Sequence, residues 1–481
     1  MRKEDLENIF NPSYESYEGY SEELKEKLRN RVAIKNYLEN FGQFRRDKIE
    51  ATIVGRLVRL RRMGKITFSR LADESGEIQI VLDEENFQNY ADHIRKFVLG
   101  DLILTEGDAF ITNTGEKSLR CKRVARLASC SALFPDKYHG IKDTYARRRD
   151  MVLELIANRE TFEFFRKASI FISMLRMELF RRGFLEFQTP ILRRKFCAGA
   201  ARPFFTEHNA WDRRAYLRLT SEIELKQLLI AGYEKVFELG KSFRNEGSDR
   251  IHNPEFTLLE IYEAYADYKD MMALVEELVR NAILASFGTL KFETKKGEID
   301  FSKPWKVVEA RELCFSGIYG VTNLAEVDNM EKVERLAEAL EIDVKGLSYG
   351  QAISKLLEVI IQPQIIQPTF VVHLPIQMSP FAKSKPNDHR WAERAWLFAG
   401  GIFFADIYSD LTDSSELLNR LKRQDEELGV KSDTSHTEND LVSALRYGAP
   451  PSAGIGLSIE RLLMIIGNKS HVLDTILFPN S

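Results

Sequence analysis

From Lys48 onward the chain alternates apolar and polar positions in short runs broken by turn residues: "KIEATIVGRLVRLRRMG", "KITFSRLADESG", "EIQIVLD", "DLILTEGDAFITNTG" and "LRCKRVARLAS". A period of two, bounded by Gly, Asn and Asp, predicts strands with one buried face. Five such runs at near-regular spacing, with a helical insert around "NFQNYADHIRKF", predict a small five-stranded barrel. Upstream, residues 20–41 place apolar side chains at helical spacing among Glu, Lys and Arg, which predicts a surface helix. Downstream, "FPDKYHGIKDTYARRRD" is expected to be a linker. After it, "TFEFFRKASIFISMLRMELFRRGF" has a long helical period and "LEFQTPIL" follows as a strand ending at Pro190. The rest alternates strands and helices with no regular βαβ count, so an α+β domain is expected, an antiparallel sheet flanked by helices. The expected divisions are a helical extension over 1–47, the barrel over 48–133, a linker over 134–149 and the large domain over 150–481.

Composition adds limits more than identity. At 481 residues, 44% hydrophobic and 29% charged, the chain is long enough for two domains with a sizeable core. Sixty-nine basic against seventy-two acidic residues leave a net charge of -3, so any nucleic-acid binding must be local rather than a property of the whole field. Cys121, Cys130, Cys197 and Cys314 are far apart with no CxxC pair, which argues against a zinc knuckle or a disulfide framework and suits a reducing cytoplasm. The N-terminal stretch is charged throughout, and no run of eighteen apolar residues occurs, so neither secretion nor a membrane span is expected.

Two regions carry candidate chemistry. In the barrel, which is of the OB type by strand count, Arg56, Arg59, Arg61, Arg62 and Lys65 lie beside Phe68. Basic side chains next to an exposed ring suit single-stranded nucleic acid, and a solvated face around a core phenylalanine is the alternative. In the large domain, "SFRNEGSDRIHNPEFTLLEIYEAYADY" is expected to form a hairpin with a long polar loop, its alternation sending Arg244 and Glu246 to one face. Arg244 can clamp a phosphate or carboxylate in two-pronged fashion, and Phe256, Glu260 and Tyr262 are expected to face one cavity. Near the C-terminus, "GAPPSAGIGLSIERLLMIIGN" is a glycine-rich strand feeding a helix whose first turn holds Arg461. Taken singly, each arginine is more often a structural ion pair; together they suggest a phosphate site framed by carboxylates. No GxxxxGK[ST] loop and no GxGxxG after a strand is present, so a nucleotide must be held without those cradles.

On these residues the chain resembles the class II aminoacyl-tRNA synthetases, specifically the bacterial type of lysyl-tRNA synthetase. "RRGFLEFQTPIL" resembles motif 1, "FRNEGSDRIHNPEFTLLEIYEAYADY" motif 2, and "GIGLSIERLLM" with "DTILFP" motif 3; "YHGIKD", "AARPFFTEHNA" and "GKITFSRLADESGEIQIVL" extend the likeness from about residue 48 onward. The resemblance implies a homodimer built around motif 1 and two steps, in which lysine attacks the α-phosphate of ATP and the tRNA 3′ end then takes the acyl group. By the same resemblance, Arg244 holds the α-phosphate and the lysine carboxylate, Glu246 and His252 contact ATP, Phe256 stacks on adenine and Arg461 grips the γ-phosphate. Glu222, Glu260 and Tyr262 surround the amino groups of lysine, with Asp406, Tyr408 and Asp410 as further amino-acid contacts. In the barrel Phe68 and Gln79 match positions that stack on and read the central anticodon uridine of tRNA, flanked by Arg59 and Arg61; tRNA(Lys) is the implied partner.

The likeness breaks in "AWLFAGGIFFADIYSDLTD", residues 395–413. The two family glutamates that coordinate magnesium fall on Trp396 and Phe403, which offer no oxygen to a hard cation. Ile402, Asp406, Tyr408 and Asp410 replace an arginine, an asparagine, a phenylalanine and a glutamate. Cys197 and Ala198 stand where glycines are usual, Ser458 replaces a glycine and Leu473 an arginine. Two readings follow. One is a lysine–tRNA ligase with a rearranged metal site, Asp406 or Glu246 serving as ligand; the other is a paralogue with weakened or redirected chemistry, a regulator, a tRNA-binding module or a ligase for another amino acid. Glu222 and Asp410 keep carboxylates for a cationic substrate, unless they pair with arginines such as Arg218.

Overall fold

Alternation along β1 (Ala51–Met63) buries Ala51, Ile53 and Leu57, and the same period closes β2 (Ile66–Ala72), β3 (Glu77–Asp83), β4 (Leu102–Ile111) and β5 (Lys117–Ala128) into a barrel in the order β1-β2-β3-β5-β4. The pairings are antiparallel except between β3 and β5. The expected insert is helical at Tyr90 and Ile94, both buried; the Tyr90 hydroxyl lies 2.7 Å from that of Thr67. The computed structural model describes residues 21–86, 90, 94, 96–131, 144–193, 202–208, 213–314, 327, 329–427 and 436–479, and the chain divides into two compact units between Arg159 and Glu160. Most of the expected linker, and the loop carrying Cys197 and Ala198, lie outside the described residues.

The N-terminal segment differs from the single surface helix expected. It forms three short helices, α1 (Glu22–Arg29), α2 (Ile34–Glu39) and α3 (Phe41–Arg46). Between the first two, the Val32 amide donates to the Thr52 carbonyl of β1 at 2.8 Å, which interrupts the helix. Ile34, Tyr37 and Phe41 then join the barrel core, so their apolar spacing served burial rather than an exposed face.

The second unit is built on an eight-stranded sheet. In chain order its strands are β6 (Leu185–Glu186), β7 (Lys235–Phe243), β8 (Glu255–Ala264), β9 (Lys306–Glu309), β10 (Thr369–Val372), β11 (Arg394–Ala399), β12 (Ile402–Ser409) and β13 (Ser452–Ser458). Spatially they run β9-β10-β11-β12-β13-β8-β7-β6. The central pairs are antiparallel as expected, and the two outermost pairs, β9 with β10 and β7 with β6, are parallel. The strand expected to run to Pro190 is only the two residues of β6. One face packs on α4 (Arg159–Arg181), α6 (Tyr268–Phe287) and α8 (Ile459–Ile466). The period of two shows in β11, where Ala395, Leu397 and Ala399 enter that core while Trp396 and Phe398 enter a second one with α7 (Tyr349–Ile361). The tight β11–β12 turn puts Gly400 and Gly401 at φ 59° and 71°, a left-handed pair that side chains rarely adopt.

Candidate functional site

The sheet face opposite the first core lines up the expected residues in cross-strand rows. Glu260 of β8 pairs with Gly456 of β13, Gly456 with Asp406 of β12, and Asp406 with Trp396 of β11. One step along, Tyr262, Gly454, Tyr408 and Arg394 form the next row. A Cβ on Gly456 would meet nothing within 4 Å, so the floor is open there, whereas one on Gly454 would strike the Tyr262 ring at 2.3 Å. The first glycine leaves room for a ligand and the second lets the tyrosine lie flat.

The carboxylates on this floor are held by internal partners. Glu260 accepts from the Thr220 hydroxyl and, at 2.6 Å each, from the amide and hydroxyl of Ser221, the residue that opens α5 (Glu222–Ile230). Glu260 thereby ties the sheet to the start of the helix that carries Glu222. Burial raises its pKa against those three hydrogen bonds. Asp406 receives Arg394 in two-pronged fashion, Nε to Oδ1 at 2.8 Å and Nη2 to Oδ2 at 2.5 Å. Both Asp406 oxygens thus already accept from a guanidinium, which competes with the expected role of Asp406 as a spare metal ligand.

At the far end sits a group that the sequence reading missed. Lys226, buried on α5, places Nζ 2.6 Å from Glu222 Oε1 and 2.8 Å from Asp410 Oδ1. The ring centroids of Tyr408, Phe381 and Tyr262 lie 5.0, 5.4 and 5.6 Å from that nitrogen. Tyr408 donates its hydroxyl to Glu222, and Ser452 donates to Asp410 at 2.7 Å. The alternative that Arg218 pairs with Glu222 or Asp410 is overturned: Arg218 forms a buried ion pair with Glu238. The available signal was the four-residue spacing of Glu222 and Lys226 within "SEIELKQLLI".

Burial alone would lower the Lys226 pKa, but Asp410 and Glu222 overcome it and push it up to about 12. A lysine raised on folding stabilises fully below its unfolded value, near 10.5, and loses that contribution as pH rises through the folded value. The stability difference between the wild type and Lys226→Met is therefore expected to be flat from neutral pH to about 10 and to shrink by about 2 kcal/mol near pH 12. Urea unfolding across that range checks it.

The phosphate side is cationic. Arg244 lies just beyond β7, so the expectation that it shares a strand face with Glu246 is corrected: both belong to the loop, and Glu246 is exposed with Oε1 3.4 Å from the Arg202 amide. The Arg244 guanidinium lies 5.2 Å from the Phe256 ring, and its buried Nε has no hydrogen-bond partner among the described residues. Arg461, in the first turn of α8, donates to the carbonyls of Phe403 at 3.1 Å and Ile251 at 3.3 Å. Burial lowers its pKa, Glu358 opposes, and the nearby Arg244 charge adds to the lowering. His252 stands beside Asp249, Nδ1 to Oδ2 at 2.8 Å. Glu358 of α7, which was not a candidate, is a half-buried carboxylate whose pKa is raised by desolvation against the nearby charges of Arg461, His252 and Arg394.

In the first unit, the four candidates share one outer face of the barrel. Arg61 pairs across strands with Phe68, Arg59 with Arg70, and Arg70 with Gln79. Thr67 and Ser69 point inward, so Phe68 points out. Gln79 is half-buried and donates Nε2 to the hydroxyl of the buried Ser118 at 3.0 Å, which orients its amide.

Comparison with known proteins places this arrangement. Residues 143–481 match the family described as tRNA synthetases class II (D, K and N), and residues 51–127 match the OB-fold nucleic acid binding domain. A lysine–tRNA ligase of Pelotomaculum thermopropionicum is 37% identical over 485 residues, covering 100% of this chain and 94% of that relative. The chain belongs to the class II lysyl-tRNA synthetase family. Lysine–tRNA ligases of Chloroflexus aurantiacus (37% identical, 89% of this chain and 88% of the relative) and the heat-inducible one of Escherichia coli (36%, 90% and 86%) are similar over most of their length.

The two positions that the resemblance matches to magnesium-binding glutamates carry side chains that do not fit the ion. The Trp396 and Phe403 rings lie 5.2 Å apart and pack on Phe398 at 6.2 and 5.5 Å. Trp396 is buried with its Nε1 lacking a hydrogen-bond partner among the described residues, and neither ring carries an oxygen. The Arg394 and Arg461 guanidinium carbons lie 5.5 and 5.7 Å from the Trp396 and Phe403 centroids, so cations border this aromatic cluster.

Proposed function

We propose that the chain activates lysine with ATP and passes the lysyl group to tRNA(Lys) in the cytoplasm, holding the polyphosphate through Arg244 and Arg461 rather than through carboxylate-bound magnesium. The amino-acid pocket carries the reading. Among the described residues, Glu222, Glu260, Asp406 and Asp410 have Lys226 and Arg394 as ion-pair partners, which leaves two formal negative charges, the number that the two ammonium groups of lysine neutralise. Tyr262 and Tyr408 supply the apolar walls for its methylenes.

In this reading Arg244 orients the lysine carboxylate toward the α-phosphate, Phe256 stacks on the adenine, and Glu246 and His252 contact the nucleotide. Arg461 takes the terminal phosphate. Attack by the carboxylate on the α-phosphate expels pyrophosphate and leaves lysyl-adenylate; the tRNA 3′-terminal ribose hydroxyl then attacks its carbonyl, forming the ester and releasing AMP as the anhydride bond breaks. The aromatic pair at Trp396 and Phe403 favours a second reading, a paralogue that binds the same ligands but has lost or redirected transfer. Lysine-dependent ATP–pyrophosphate exchange, run beside lysine and ATP binding, separates the two: binding without exchange supports the second.

On the barrel, Phe68 stacks on an anticodon base read by Gln79, with Arg59 and Arg61 on the phosphates. Phe68→Ala is expected to weaken binding to tRNA with a central anticodon uridine by about 1–3 kcal/mol, and binding is expected to fall as salt rises. Filter binding at several salt concentrations checks both; unchanged affinity refutes the stacking role. Among the described residues no helix is long and apolar enough to cross a membrane.

The chain is also proposed to pair with a second copy through α4 and β6. Met177 and Phe180 of α4 and Leu185 of β6 are exposed, and β6 is the sheet's open edge. Sedimentation at micromolar concentration is expected to show a dimer, and a monomer there excludes this interface.

A further inference from the structure

Lys226 has a place in the pocket that the proposed reaction does not use. Its nitrogen lies between Glu222 and Asp410 and against three aromatic rings, the surroundings that a free ammonium ligand seeks. It cannot readily leave. The side chain is buried on the same helix as Glu222, four residues on, and its charge has two carboxylate partners there. Asp410 in turn has Oδ1 in ion-pair contact with Lys226, though without a hydrogen-bond partner among the described residues, and Oδ2 accepting from the Ser452 hydroxyl, so its nearest cation is already the protein's own.

We infer that Lys226 is a specificity-determining residue: its ammonium permanently fills the innermost cation place and forms the end wall against which the substrate side chain is measured. Asp410 then serves Lys226, and the substrate ammonium is received by Glu222. The wall is both steric and electrostatic. A side chain one methylene longer than lysine would drive its ammonium onto a like charge. The inference rests on the amino-acid pocket proposed above and extends it to the length of amino acid admitted.

The test compares lysine with homolysine, its one-methylene-longer analogue, by calorimetric binding to the full chain and to two variants. Lys226→Ala opens the wall and frees Asp410, so the preference for lysine over homolysine is expected to fall by about tenfold or more, the usual worth of one methylene in a fitted pocket. Lys226→Met keeps the length without the charge and is expected to continue to exclude homolysine. A purely structural lysine would weaken both ligands alike and leave their ratio unchanged, and that result overturns the inference; so does equal gain of homolysine binding in the Met variant.

A second readout does not depend on lysine being the substrate. Millimolar n-propylammonium chloride is expected to raise the thermal midpoint of Lys226→Ala, or to restore its folding, while leaving wild type unmoved. If wild type binds no lysine but the amine rescues the variant, the proposed function fails while the cation place stands. If the amine rescues nothing and the lysine to homolysine ratio holds, the inference fails.

Discussion

Arg244→Ala is expected to weaken ATP binding by about 100-fold, corresponding to nearly 3 kcal/mol, the worth of a charge-assisted contact to phosphate in a partly buried site. The size follows from how the arginine is kept. Its Nε is buried with no partner among the described residues, and its guanidinium stands over Phe256 close enough to Arg461 to depress that residue's pKa. Two neighbouring cations with unspent hydrogen-bonding capacity attract an anion in a way that arginines locked into ion pairs do not. Arg218, paired with Glu238, is such a locked arginine. Calorimetric titration with ATP checks the prediction, and a loss below threefold would remove Arg244 from the nucleotide site.

The second large effect concerns the floor. Trp396→Glu combined with Phe403→Glu is expected to raise lysine-dependent exchange in saturating magnesium by about tenfold or more, because it supplies oxygen donors beside the polyphosphate. The same change is expected to lower folding stability by roughly 3–5 kcal/mol, since it removes two rings from a packed cluster with Phe398. In the unmodified protein, ATP affinity is expected to change little with magnesium. Steep magnesium dependence of the wild type, or a double variant no faster than wild type, would show that the aromatic pair is not what limits charge stabilisation.

Much of this arrangement was legible in the sequence where a period of two met a turn. The barrel strands follow from runs broken at Gly64, Gly76 and Gly115, and the shared face of Glu260 and Tyr262 follows from their spacing on one strand. Arg461 is in the first helical turn as its glycine-rich approach suggested. What stayed hidden depends on contacts between distant segments. Apolar spacing in residues 20–41 could not show that the Val32 amide would bond to β1 and break the helix. Nothing near Glu358 announces that α7 delivers a carboxylate toward Arg461 and Arg394. Lys226 was missed for a different reason: a lysine on a helix is ordinarily solvated, and only burial between two carboxylates gives it another meaning.

In the proposed amino-acid pocket the described residues leave two formal negative charges, and ATP–pyrophosphate exchange with each proteinogenic amino acid tests that reading most directly. The expected result is exchange, slow for a synthetase, that lysine stimulates above every other amino acid and that Glu222→Gln abolishes. Stimulation by a neutral or acidic amino acid in preference to lysine would contradict the account.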